Sequence, residues 1–187
     1  MELDTPHQIS RTRSGDLQDM TQARWDLNGS IELQGRTDRA RAARVGPLLL
    51  GNATLHHLGF VVVSISAVAE GFAVSMSARW EGQIIHDPLQ QVRVAFFTPA
   101  DVRNPVFELV EPASEASPVS NFLKKRVGLH HVCYEIDDLE SGLEQARVVG
   151  FAVASDPMQA VAFGGRRIAW VYSRSHLLLE FLERHRG

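Results

Sequence analysis

The sequence predicts an α+β protein built from two paired βαβββ modules, and three observations carry that prediction. One phrase is written twice: Leu55-His56-His57-Leu58-Gly59-Phe60-Val61-Val62 returns as Leu129-His130-His131-Val132-Cys133-Tyr134-Glu135-Ile136, at an offset of 131 − 57 = 74 residues. A carboxylate in an apolar run follows each copy, in Val106-Phe107-Glu108-Leu109-Val110 and in Leu178-Leu179-Glu180-Phe181-Leu182. The two His-to-Glu gaps are 108 − 57 = 51 and 180 − 131 = 49 residues, so the repeat keeps both residue types and nearly their spacing. A duplicated supersecondary unit constrains the architecture before any single element is assigned. Two units make a paired-module domain, and they can bring two imidazoles and two carboxylates to one point.

The elements follow in order. Each His-bearing phrase reads as a strand, because it is short, rich in β-branched and aromatic residues, and bounded by turn formers. A helix follows each. In the second copy, Asp137-Asp138-Leu139-Glu140-Ser141-Gly142-Leu143-Glu144-Gln145-Ala146-Arg147 has an acidic start and apolar residues at helical spacing, with Gly150 as a stop signal. The first copy carries the same length of pattern, with weaker signals, over Ser66 to Trp80. Val92-Arg93-Val94-Ala95-Phe96-Phe97 and Arg167-Ile168-Ala169-Trp170-Val171-Tyr172 are strands that precede the two Glu-bearing strands. The modules run over about 53–113 and 128–184 within a domain of residues 51–187.

Strand periodicity separates the two histidines of each pair, since residues two apart share a face. His57 goes with Gly59 and Val61, and His131 with Cys133 and Glu135, toward a face with small or polar residues where a site can open. His56 and His130 go with bulkier apolar neighbours, toward the layer a helix would cover, and are expected to make structural hydrogen bonds near strand starts.

Residues 1–50 differ in texture. They hold seven Arg, no Lys, a matching acidic load and little periodicity before Trp25, which is the pattern of an N-terminal extension that is partly a mobile tail. Within it, Trp25-Asp26-Leu27-Asn28-Gly29-Ser30-Ile31-Glu32-Leu33 places Asn-Gly between β-prone residues, a hairpin signal that could add to a sheet edge or contact a second copy of the chain.

Composition bounds the function. A chain of 187 residues with net charge −3 and no basic stripe is a poor nucleic-acid binder. The lone Cys133 excludes an intrachain disulfide framework, no stretch is apolar enough to span a bilayer, and the start lacks the basic-then-apolar order of a secretory leader. A cytoplasmic location is the resulting expectation.

With His on the first strand and Glu on the fourth of each βαβββ copy, the chain resembles the vicinal oxygen chelate superfamily, to which glyoxalase I belongs. Within it the chain looks most like the methylmalonyl-CoA epimerases. Glu108-Leu109-Val110-Glu111-Pro112, the run from Ser114 to Val119 leading to Phe122-Leu123-Lys124-Lys125, and Gly128-Leu129-His130-His131 resemble that family's linker between modules, and Gly164-Gly165-Arg166-Arg167-Ile168-Ala169 its late glycine turn and strand. The resemblance covers roughly residues 53–184 and implies a metal cup between curved sheets. It also implies a small-molecule substrate such as an acyl-CoA or other acyl thioester.

The chain departs from the family at three places. Ala78-Arg79-Trp80-Glu81-Gly82-Gln83 stands where the first helix usually carries a Phe-Tyr and Leu-Gly signature. Leu89-Gln90-Gln91-Val92-Arg93-Val94 replaces a Glu-Gln-Gly-Val run that in some members is followed by a catalytic Glu, at the position of Val94. Tyr172-Ser173-Arg174-Ser175 replaces a His-Pro-Lys-Ser segment.

The expected ligands of one divalent ion (Co, Mn, Zn, Ni, Mg or Fe) are therefore His57, Glu108, His131 and Glu180. Two neutral imidazoles and two carboxylates balance its charge and leave octahedral positions for two substrate oxygens. By analogy Glu180 is also the base that takes a proton from the carbon next to a carbonyl. A lone strand histidine is more often structural and a lone strand glutamate more often solvated, but the coincidence occurs twice in register. Other residues carry weaker readings. Cys133 could line the cavity or simply pack. His86-Asp87 could supply a further base or form a turn before Pro88. Arg166, Arg167, Lys124 and Lys125 could meet substrate phosphates, and Gly164-Gly165 is weak as a phosphate loop because it opens no helix. The expected function is a metal-dependent epimerase or isomerase. The alternatives are a lyase or dioxygenase on the same cup, or a non-catalytic binding or resistance protein.

Overall fold

The computed structural model describes residues 23–25, 31–33 and 51–185. Contacts divide the chain into two units, Met1–Val45 and Gly46–Gly187. In the first, β1 (Ala23–Trp25) pairs antiparallel with β2 (Ile31–Leu33), Ala23 opposite Leu33 and Trp25 opposite Ile31. That is the pairing the hairpin signal predicts. The Asn28-Gly29 turn itself lies outside the described residues, as do the remaining segments expected to form a tail.

The second unit is one mixed sheet with a helix in each half. Its first half runs β3 (Thr54–Val61), α1 (Ile65–Ser75), β4 (Ala78–Arg79), β5 (Ile85–Asp87), β6 (Val92–Pro99) and β7 (Val106–Pro112). A short helix, α2 (Ser120–Leu123), sits in the connection to the second half: β8 (Gly128–Ile136), α3 (Leu139–Val148), β9 (Ala152–Val153), β10 (Met158–Gln159), a single 3₁₀ turn (Val161–Phe163), β11 (Arg167–Tyr172) and β12 (Leu178–Glu183). The strand order is β10-β11-β12-β8-β3-β7-β6-β4, with β9 also on β11 and β5 also on β6.

The order reads the same from either end. At its centre β3 and β8 pair antiparallel; each has a parallel neighbour, β7 or β12, and each of those pairs antiparallel with β6 or β11. The repeat in the sequence thus appears as a pseudo-twofold axis between the two His-bearing strands. The second strand of each expected βαβββ module is broken in both halves. β4 and β5 pair with opposite ends of β6, and β9 and β10 with opposite ends of β11.

Alternation along the long strands assigns the two faces. Ala95, Phe97 and Leu109 pack with Ile65 and Ala69 of α1, and Ala169, Val171, Leu179 and Phe181 pack with Leu139, Leu143 and Ala146 of α3. The intervening residues, Val94, Val110, Ile168 and Leu182 among them, form the other face together with Val61 and Cys133. The helices α1 and α3 therefore cover one side, while the short α2 packs Phe122 and Leu123 against the other, beside the site.

The helix ends differ in how well the sequence announces them. At α3, Asp138 is the N-cap, its carboxylate accepting from the Ser141 N–H at 2.7 Å, and Gly150 takes φ 80° just past the end. At α1 the Ser64 side chain makes no cap. Glu111, reaching from β7, accepts the Ile65 N–H at 2.5 Å instead. This helix also stops at Ser75 rather than Trp80, because Ser77 turns the chain through φ 49° into β4.

Candidate metal centre

Registers across the sheet build the centre in two rows. One runs Phe96–Glu108–Gly59–His131 across β6, β7, β3 and β8; the other runs Trp170–Glu180–Cys133–His57 across β11, β12, β8 and β3. Each row is aromatic, glutamate, small residue, histidine. The small residue lets a glutamate and a histidine two strands apart lean toward each other above it. Gly59 is the extreme case: a Cβ there would lie 2.0 Å from Cε1 of His131.

The four side chains converge. His57 Nε2 lies 3.0 Å from His131 Nε2, 3.4 Å from Glu108 Oε2 and 3.1 Å from Glu180 Oε2, while His131 Nε2 lies 3.3 and 3.4 Å from the same two oxygens. All four residues are buried. Phe163 stacks on the His57 ring at 5.6 Å and Trp170 meets the His131 ring edge-on at 4.9 Å, so aromatic walls hold both imidazoles.

The electrostatics follow from two carboxylates enclosed with two imidazoles. Burial favours a neutral Glu180, but hydrogen bonds from His131 and His57, with their charge, hold its pKa well below the usual carboxylate range. Glu108 is lowered against its burial by the same two histidines. Burial also disfavours protonation of His57, yet the charge of Glu108 and hydrogen bonds with Glu108 and Glu180 outweigh it and raise the pKa to about 10. His131 is raised for like reasons. The cluster is a buried anionic site that demands a cation, whether protons or a metal ion.

The residues present fit a divalent ion. His57, Glu108 and His131 offer ligand atoms close enough to share one, and Glu180 Oε2 is buried at the same point, 3.1 and 3.4 Å from the Nε2 atoms of His57 and His131. Such an oxygen is costly unless something compensates it. A cavity of about 530 Å³ opens beside the cluster, reached by Glu108, His131 and Glu180 and otherwise lined mainly by apolar residues such as Val94, Val119, Phe163 and Trp170.

The remaining sequence readings sort themselves. His56 and His130 do not point into the helix layer. Each sits at a β-bulge beside its partner histidine, with Nδ1–Nδ1 distances of 2.9 and 3.1 Å. Bulges break the two-residue period on which the face assignment depends. Burial and the neighbouring His57 lower the pKa of His56, and burial and His131 lower that of His130 to about 4. Cys133 is fully buried and packs under the cup rather than lining the cavity; burial, then Glu180, raises its thiol pKa.

Asp87 is a structural residue. Its two oxygens accept from Leu89, Gln90, Val161 and Ala162 N–H, tying β5 to the 3₁₀ turn of the other half, while His86 is exposed. Asp-x-Leu-Gln before a strand is a turn signal in the sequence, but nothing there indicates the partner turn near residue 161. Arg166 holds Glu135 at 2.6 Å and Arg167 bridges Glu140 and Glu183, each at 2.7 Å, so both are engaged by carboxylates. Gly164 and Gly165 take φ 65° and 82° to turn the chain into β11.

A paired-module sheet with a buried His₂Glu₂ cup defines a class, and comparison with known proteins names it. The chain belongs to the glyoxalase/bleomycin resistance protein/dioxygenase superfamily, whose family model matches residues 56–170. It is 26% identical over 122 residues to an ethylmalonyl-CoA/methylmalonyl-CoA epimerase of Cereibacter sphaeroides, covering 64% of this chain and 88% of that protein. A hypothetical protein from Bacillus halodurans superposes with a TM-score of 0.63 at 27% identity, over 73% of this chain and 97% of that one. A variant methylmalonyl-CoA epimerase of Streptomyces coelicolor, in complex with 2-nitronate-propionyl-CoA, has the same fold, with a TM-score of 0.61 at 22% identity over 71% and 95%. No helix among the described residues is long and apolar enough to cross a membrane.

Proposed function

We propose that His57, Glu108, His131 and Glu180 bind one divalent metal ion and that the protein is an epimerase or isomerase acting on a carbon next to a carbonyl. The observation that carries the reading is the convergence of the four donor groups to 3.0–3.4 Å beside an apolar cavity. An ion held there supplies Lewis-acid charge to stabilise the enolate. Glu180, a ligand that also lines the cavity, takes the proton. The apolar walls exclude water from the exposed carbanion, and Phe163 and Trp170 keep the imidazoles in place. The similarity to epimerases of acyl-CoA substrates makes an acyl thioester the substrate class to test first.

One observation favours a narrower second reading. Val94 is buried and lines the cavity where some relatives carry a second catalytic carboxylate. A single base serves one face of the carbon, which suits a one-base isomerase or lyase better than efficient epimerisation. Incubating metal-loaded protein with 2-substituted malonyl thioesters in deuterated water separates the readings. Exchange with inversion supports an epimerase and exchange with retention a one-base enzyme. Tight binding without exchange, unchanged in Glu180→Gln, would establish a binding protein instead.

A further inference from the structure

We infer that His56 and His130 are positioning residues for the metal centre, each fixing the tautomer and ring plane of the histidine that follows it. The inference rests on the metal-binding reading above. On β3, Leu55 and His57 stand opposite the consecutive residues Tyr134 and Cys133, so His56 is the extra residue of a bulge. On β8, Leu129 and His131 stand opposite the consecutive residues Phe60 and Gly59, so His130 is the extra residue of a second bulge. The two bulges lie on the two central strands at equivalent places of the repeat. A bulge re-aims the side chain of its extra residue, and both re-aimed imidazoles arrive at the same atom of their neighbours, Nδ1 to Nδ1 at 2.9 and 3.1 Å.

The chemistry of that contact is asymmetric. His57 and His131 direct Nε2 at the two carboxylates. Ligation there needs an unprotonated Nε2, so a neutral ring carries its proton on Nδ1 and must donate it. Only an acceptor suits the other side, and a neutral imidazole with its proton on Nε2 presents one. Packing holds each acceptor ring: Phe163 meets His56 at 5.7 Å, and Phe122 meets His130 at 4.8 Å. Outer-shell partners of this kind orient a ligand and raise its basicity. That the same atoms meet in both halves, 74 residues apart, separates this from a chance surface contact.

The test uses Co(II) and Zn(II) with full-length wild type, His56→Ala, His130→Ala and the corresponding Asn variants, in which the amide oxygen can replace Nδ1 as acceptor. Each Ala change should weaken Zn(II) binding, read by competition with a chromophoric chelator, by about 10- to 100-fold. It should also alter the visible spectrum of bound Co(II), and Asn should restore much of both. Folded Ala variants with wild-type affinity and spectrum overturn the inference while leaving the metal site standing, whereas a wild type that binds neither ion overturns both. Should the Ala variants not fold, nitrogen-15 spectra of Zn-loaded wild type decide. Protonation of His56 and His130 on Nε2 is expected, and protonation on Nδ1 overturns the inference.

Discussion

Gly59 stands directly across the β3–β8 pair from His131, and the histidine ring occupies the space that any side chain at Gly59 would need. The smallest change there is therefore a change to the centre. Gly59→Ala puts a methyl group 2.0 Å from Cε1, and the ring has to move. Overpacking of this kind costs about 1–3 kcal/mol, and a displaced ligand should weaken metal binding by about tenfold or more. Zn(II) titration and urea unfolding of Gly59→Ala measure the two effects; wild-type affinity would show that His131 does not ligate.

His131→Ala should lower metal content and thermal stability together. A ligand present at 100 times its dissociation constant stabilises the folded state by about 2.7 kcal/mol, so a chelator should lower the melting temperature of wild type but not of the variant. Full metal occupancy in both His57→Ala and His131→Ala would sink the assignment of the quartet.

The centre also sets a pH dependence. In metal-free protein the folded pKa of His57 is raised to about 10, above its unfolded value of about 6.5. Its stabilising contribution is thus complete below about pH 6.5 and is lost as the pH rises toward 10. Glu108 and Glu180, with lowered pKa values, contribute above the ordinary carboxylate range and lose that contribution as the pH falls. Metal binding displaces histidine protons, so affinity should rise about tenfold per pH unit for each proton released. Urea midpoints at pH 6.5, 8 and 9.5, with chelator and with excess Zn(II), test this; a flat profile in chelator contradicts it.

Asp87→Ala leaves four backbone N–H groups without their acceptor. A loss of about 1–3 kcal/mol is expected from partly buried donors left unsatisfied, with the His₂Glu₂ site still able to take metal. An unchanged urea midpoint would show that Asp87 does not secure the two halves.

Because the candidate ligands all come from residues 57–180, removing residues 1–50 should leave metal binding intact. A truncated protein that folds but binds no metal would place part of the site in the N-terminal region.

Much of this protein was legible in its sequence because duplication writes the same physical demand twice. The 74-residue repeat of a histidine strand and a glutamate strand identified the two modules and the pseudo-twofold pairing. It also identified the four side chains that the structure brings together. Gly150 and Asp138 marked the ends of α3, since capping is a local matter of one turn. The cap of α1 was not legible, because Glu111 lies 46 residues away from the N–H it accepts. Nor was the break in each second strand, which is set by pairing to the two ends of β6 and β11.

The orientation of His56 and His130 was decided only by the tertiary structure. Strict alternation sends each away from its neighbour, and the sequence contains no sign that the register slips by one residue on each central strand. The slip belongs to the pairing of β3 with β8, residues far apart in the chain, and it turns two apparent core histidines toward the site. Residue types and their spacing determined which groups could meet at the centre. Cross-strand register, a property of two strands together, determined which of their atoms face one another.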